Sequence, residues 1–126
     1  MKQTPEHQTS RGDMVVIAEP RYTYHDGNTT WHITVGMVTN LHRDGSIARV
    51  KTFGLYGSDQ EPKQPIASLP PVPLESFNGA YRYCVIPRNR FDLEKFLASS
   101  FGYVPTAATP EEAFARAKAF LEPFFI

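Results

Sequence analysis

Between residues 31 and 53 apolar and polar positions alternate. Trp31, Ile33, Val35, Met37, Thr39 and Leu41 share one parity, with Ala48, Val50 and Thr52 beyond a turn. A period of two predicts two β-strands. Asp44-Gly45 between them is a hairpin signal, because a tight turn needs φ values that Asp tolerates and Gly accepts freely. A two-residue loop pairs Arg43 with Ser46. Counting outward then sets Leu41 opposite Ala48, Thr39 opposite Val50 and Met37 opposite Thr52, and Trp31, Ile33 and Val35 continue that core face. The other face carries His32, Thr34, Val38, Asn40, His42, Ile47, Arg49, Lys51 and Phe53, the best surface here for contacting a partner. A three-residue loop with a bulged Gly45 slips the pairing by one and sets Arg49 and Lys51 opposite Thr39 and Met37, which burial argues against.

The flanking pattern extends the sheet. Met14 to Ala18 is a short apolar, β-rich run that Pro20 is expected to stop. Asp26-Gly27 is a second turn signal, which by counting pairs Tyr22 with Trp31 and Tyr24 with Thr29. These rings either close the end of the core or form an aromatic ledge of Tyr22, Tyr24 and Trp31 beside it. Pro62, Pro65, Pro70, Pro71 and Pro73 make residues 54–79 a long proline-rich connection. Its two Pro-x-x-Pro spacings suit an aromatic groove, and its Ile66, Leu69, Val72 and Leu74 suit a strap pinned to the domain's own surface. Residues 80–86 alternate as a further strand, ended by Pro87.

Helical signals follow. Asn89 as cap, Asp92 in the first turn and Leu93, Phe96, Leu97 and Phe101 on one face predict a helix over 89–101, stopped at Gly102. Thr109-Pro110-Glu111-Glu112 supplies a cap, a proline at the first helical position and acid in the first turn, and Ala113, Phe114, Ala117, Phe120 and Leu121 recur at helical spacing. The terminal Pro-Phe-Phe-Ile is expected to be buried or paired.

Composition narrows the class. At 126 residues and 41% hydrophobic the chain suits one domain with a real core. Residues 1–11 read as a mobile tail and 12–126 as that domain: an antiparallel β-part over 12–88, then a helical part over 89–126. Thirteen basic residues balance thirteen acidic ones, so no global field draws the chain to nucleic acid or an anionic membrane. A single cysteine excludes an internal disulfide and a thiolate-rich zinc site. No apolar run approaches the ~20 residues of a membrane span, and no signal-peptide pattern opens the chain, so a cytoplasmic location is expected.

Gly12-Asp13-x-Val15, then Gly36-x-Val38 with Leu41, then Gly45 and Val50 resemble the opening of SH3-like small barrels, especially the KOW type. About a third of the chain carries the likeness. It implies a small antiparallel β-barrel and nucleic-acid or protein binding of the sort such modules perform; the two C-terminal helices are not part of a minimal barrel, and with them packed on it the expected fold is α+β.

Catalytic patterns are sparse. Cys84 in an apolar strand reads as a buried structural cysteine, with no base adjacent to activate it. Ten residues of strand put His32 and His42 ~33 Å apart, too far to share a metal. No cofactor motif and no catalytic set is present, so a non-enzymatic module binding a macromolecular partner is expected, with a nucleic-acid-associated regulatory role first, a protein adaptor or self-associating subunit as the alternative, and an enzyme built on Cys84 or the histidines last. Nucleic acid would use Asn40, His42, Arg49 and Lys51, together with Arg82, Arg88 and Arg90. A protein partner, or a second copy of this chain, would use Val38, Ile47 and Phe53.

Overall fold

Met14, Val15, Val16, Ile17 and Ala18 are all buried, none more than 3% exposed. Five consecutive buried residues in a strand mean that both faces of the sheet are covered there. The computed structural model describes residues 8–23, 25, 27–54, 66–67, 70–77, 79–99 and 106–126, with the backbone alone at 22, 23, 54, 66 and 67.

The fold is α+β, an antiparallel sheet with a C-terminal helix. Strands β1 (Met14–Thr23), β2 (Thr29–Leu41) and β3 (Ile47–Gly54) form consecutive hairpins, and β4 (Ile66–Ala67) and β5 (Val72–Pro73) add to the outer edge of β3. After a 3-10 turn at Leu74–Ser76, β6 (Arg82–Ile86) returns to pair with β1. Helix α1 (Leu93–Ala98), strand β7 (Thr106–Ala107) on β2, and helix α2 (Pro110–Leu121) complete the chain. The sheet path runs β4-β3-β2-β1-β6, and among the described residues its two ends do not meet, so the sheet is not closed.

Two cores lie on opposite faces of β1. Met14, Val16 and Ala18 face Ile33, Val35 and Phe53 of the sheet and Phe96, Ala113, Ala117, Leu121 and Phe124 of the helical part. Val15 and Ile17 face Val38, Ile47, Val50 and Leu74, with Val72, Phe77, Tyr81 and Val85 packed around them. Val38, Ile47 and Phe53, expected on an exposed contact face, are therefore interior at 1%, 6% and 6% exposure. Val72 and Leu74 of the proline-rich connection cover Val38 and Ile47, whereas Phe53 packs edge-on against Phe96 at 5.5 Å. Leu69 and the side chain of Ile66, the other proposed strap contacts, lie outside the described residues.

The β2–β3 register is the slipped one. The His42 carbonyl accepts from Gly45 N–H at 3.0 Å, His42 N–H donates to the Ser46 carbonyl at 2.8 Å, and Gly45 has φ +89°. That is a three-residue loop with a bulged glycine. Met37 pairs with Lys51, Val38 with Val50 and Val35 with Phe53, rather than as the two-residue loop predicts. Burial does not oppose this. Met37 is only half-buried, so Lys51 opposite it reaches solvent, and a further irregularity at Thr39 sets Arg49 opposite Asn40, both exposed.

Three other expectations shift. Pro20 does not end β1, because β6 stops at the Ala18–Arg82 pair and proline is tolerated where only one side of the strand is paired. A bulge between Pro20 and Tyr22 then sets Trp31 opposite Pro20 and Tyr22 opposite Thr30, so Tyr22 and Trp31 are not cross-strand partners. Trp31 is half-buried against the helix-side core, while Tyr24 and the side chain of Tyr22 are outside the described residues, as are Phe101 and Gly102. The first helix is shorter than its pattern. Residues Arg88–Arg90 form a 3-10 turn, Asp92 rather than Asn89 caps α1 by accepting from Lys95 N–H at 3.0 Å, and Leu97 is 39% exposed.

Helix α2 forms as its sequence predicts. The Thr109 hydroxyl accepts from Glu112 N–H at 3.1 Å, Pro110 opens the helix, and Ala113, Ala117 and Leu121 are buried. The last residues are tied down as well. Phe125 bridges to Phe91, and Ile126 N–H donates to the Arg90 carbonyl at 2.9 Å; of the terminal Pro-Phe-Phe-Ile, Phe124 is buried and Phe125 half-buried, while Pro123 and the Ile126 side chain are exposed.

Candidate binding groove

Alternation along β6 divides its side chains. Arg82, Cys84 and Ile86 stand opposite Ala18, Val16 and Met14 and share the face on which α2 packs, while Tyr83 and Val85 stand opposite Ile17 and Val15 on the other face. Among the described residues no strand pairs the outer side of β6. Arg82 at one end and Pro87 just past the other limit this open edge to five residues.

Beside it runs an apolar groove of about 270 Å³. Val16 of β1, Cys84 and Ile86 of β6, Phe114, Ala117, Lys118 and Leu121 of α2, and Phe125 line it. A more open extension of about 290 Å³ continues past Ile86 and Phe125 to Arg90 and Ile126. Among the described residues no acidic side chain lines either part. At the opposite end Arg82 meets Glu111 of α2 at 2.7 Å, an exposed pair.

Cys84 is an exposed residue rather than the buried structural cysteine its apolar strand suggested, because β6 is an edge. Its thiol nevertheless borders the groove, and burial pushes its pKa up. A thiol shifted in that direction stays protonated at neutral pH and is a poor nucleophile.

A second polar cluster lies at the far end of the β1–β2 hairpin. Glu19, 3% exposed, accepts from Arg21 Nε at 2.9 Å and Nη2 at 2.8 Å, and stands opposite His32. Burial, then the Arg21 guanidinium, lowers the His32 pKa, and Glu19 opposes them. Beyond it an open pocket of about 430 Å³ is lined by Thr30, Thr106, Glu112 and Arg116 among others. Arg116 is held there by Glu112 at 2.6 Å and by the Thr106 carbonyl. Among the described residues no group of three His, Cys, Asp or Glu side chains could hold a metal, and no helix is long and apolar enough to cross a membrane.

The basic residues named from the sequence form no single stripe. Asn40 and Arg49 stand opposite each other near the β2–β3 turn, with His42 exposed beside them and Arg49 Nη1 donating to the Pro71 carbonyl at 3.3 Å. Arg82 aligns through Ala18 with Ile33, seven residues back along β2, or ~23 Å at strand rise. Arg88 and Arg90 are exposed in the turn after β6, and only Arg90 reaches the groove. Phe114, Lys118 and Phe125 were not marked by the sequence as site residues. Helical spacing places Phe114 on an apolar stripe, but nothing local says that the stripe overhangs an open strand.

Comparison of the chain with family profiles, with curated proteins and with solved structures returns no significant match in any of the three.

Proposed function

We propose that this protein is a non-enzymatic binding module on an open SH3-like small barrel, and that its partner is a protein segment taken up in extended form along β6. The barrel reading is supported by three consecutive antiparallel hairpin strands, a 3-10 turn before the last long strand, and the return of that strand to β1. The unpaired outer side of β6 beside an apolar groove carries the binding reading. An added strand gains main-chain hydrogen bonds from the edge and places alternate side chains over the groove. At about 270 Å³ the groove suits one or two side chains and falls below the usual ~300–1,000 Å³ of small-molecule sites.

A second reading, nucleic-acid contact at the β2–β3 turn, is favoured by Arg49 standing opposite Asn40 with His42 and Arg43 exposed beyond. The separation of this patch from the Arg82–Arg90 region, and the engagement of Arg82 with Glu111, weigh against a continuous phosphate track.

The test is selection from a random-sequence peptide library, with amide exchange of β6 and alkylation of Cys84 followed in the presence of selected peptides. Slower exchange at residues 82–86 and slower alkylation are expected. Peptides that bind elsewhere, or retention of a single-stranded oligonucleotide at low salt with no peptide selected, would overturn the reading in favour of another surface.

A further inference from the structure

Resting on that docking reading, we infer that the segment received by β6 carries an aromatic side chain over the groove and a carboxylate two residues to either side of it, all three on one face of the added strand. Directly opposed residues of paired strands send their side chains to the same face of a sheet. Positions opposite Arg82, Cys84 and Ile86 therefore face α2 and the groove, and positions opposite Tyr83 and Val85 face away from it. The five-residue edge thus offers one central position on the groove face, opposite Cys84, with one beside Arg82 and one beside Ile86.

The lining selects a side chain for each position. Phe114 and Phe125 wall the groove, and Lys118 lies one turn along α2 from Phe114. An aromatic ring gains from neighbouring rings and from an ammonium group beyond what its area supplies, and an aliphatic side chain gains the area alone. At the Ile86 end the groove opens into its extension, where Arg90 is the one charged side chain among the described residues of the lining. At the other end Arg82 meets Glu111 through Nη1, in a pair whose side chains are 58% and 72% exposed. A guanidinium has five N–H donors and an exposed pair is weak, so a second carboxylate reaches Arg82 with little to displace. A carboxylate at an intervening position would meet neither arginine, because it would stand with Tyr83 on the opposite face. The pattern reads the same from either end, so it holds for a parallel or an antiparallel segment. A second copy of β6 does not supply it: paired with itself about Cys84, the strand would set a thiol over the groove and bring Arg82 beside Ile86 and Arg90.

Three end-blocked peptides test the proposal, titrated against the full chain with Cys84 alkylation as the reporter of place. The first is Thr-Glu-Thr-Phe-Thr-Glu-Thr, the second is Thr-Thr-Glu-Phe-Glu-Thr-Thr, of the same composition with its carboxylates on the other face, and the third is the first with Leu in place of Phe. The first is expected to bind about fivefold more tightly than the second, the gap closing as salt rises, and about fivefold more tightly than the third at any salt. In the double variant Arg82→Gln, Arg90→Gln the gap between the first two is expected to vanish and the aromatic preference to remain, with the thermal transition unchanged because both side chains are exposed. Equal binding of the first two, or of the first and third, with Cys84 protected, would overturn this inference and leave the docking reading standing. Protection by peptides selected from a random library but by none of these three would do the same, and protection by neither set would overturn both. A dimer in sedimentation whose Cys84 resists alkylation without peptide would assign the edge to a second copy and overturn the inference.

Discussion

The carboxylate of Asp13 accepts a hydrogen bond from the backbone N–H of Arg88 at 2.9 Å, across 75 positions of chain. Its other oxygen accepts from Ser10 N–H at 2.8 Å, and the Asp13 carbonyl accepts from Val38 N–H at 2.8 Å. One fully buried residue therefore fastens the entry to β1, the C-terminal part of β2 and the exit from β6. The Gly-Asp pair at the start of the β-part is structural here, and it fixes where the open edge lies.

Asp13→Ala leaves two backbone N–H groups without their acceptor. Each costs about 1–3 kcal/mol when buried, and both are only partly so, which suggests a loss of about 3 kcal/mol in urea unfolding. A loss under about 1 kcal/mol would show that water replaces the carboxylate.

Phe96 is fully buried and meets Phe53 at 5.5 Å and both Phe91 and Phe124 at 5.4 Å. Phe96→Ala is expected to cost about 3–5 kcal/mol, much of the ~5–15 kcal/mol of an ordinary domain. Truncation after Thr109 removes Ala113, Ala117, Leu121 and Phe124 from the same core and is expected to abolish cooperative melting. A truncated chain melting near the temperature of the full one would show that α2 is an appendage.

Two glycines are expected to resist alanine for different reasons. A Cβ on Gly36 would lie 3.2 Å from the Lys51 carbonyl and 3.4 Å from Val15 Cγ1, so Gly36→Ala forces β2 from its neighbours, at about 1–3 kcal/mol. Gly45 has open space but φ +89°, so Gly45→Ala costs only the backbone strain, about 1 kcal/mol. Equal losses in a denaturation series would contradict that separation.

Acidification should weaken the fold through His32. Its folded pKa lies below 6.5, so the unfolded chain takes up the proton first as pH falls. The contribution is complete above about 6.5, declines as the pH drops through that value, and levels off below the folded pKa. The urea midpoint is expected to fall between about pH 7.5 and 5.5, and the fall to shrink in His32→Gln. An unchanged slope in that variant would assign the effect to another group.

Local signals were legible where local physics decides. Thr109 caps α2 because its hydroxyl reaches Glu112 within one turn of chain, information carried by four adjacent residues. Asp44-Gly45 announced a turn but not its length, because the same dipeptide serves a two-residue loop and a bulged three-residue one. Val38, Ile47 and Phe53 were misplaced because alternation reports two faces without saying that both are covered, and the cover comes from Leu74 and Phe96, distant in sequence. The groove was illegible for the same reason: Cys84, Phe114 and Phe125 come from three separate elements.

β1 is a partition with a compartment on either side. Met14, Val16 and Ala18 belong to the helix-side core and Val15 and Ile17 to the core under the proline-rich strap. Detaching either cover wets one flank of a strand whose other flank is still packed, so neither compartment melts without unsettling the other. Amide hydrogens of Val15, Val16 and Ile17 are then expected to exchange only through global opening, while those of β6, held on one side, exchange earlier. A partner docking on β6 would act on the rim of that partition, and its binding would register as slower exchange at the centre of the molecule.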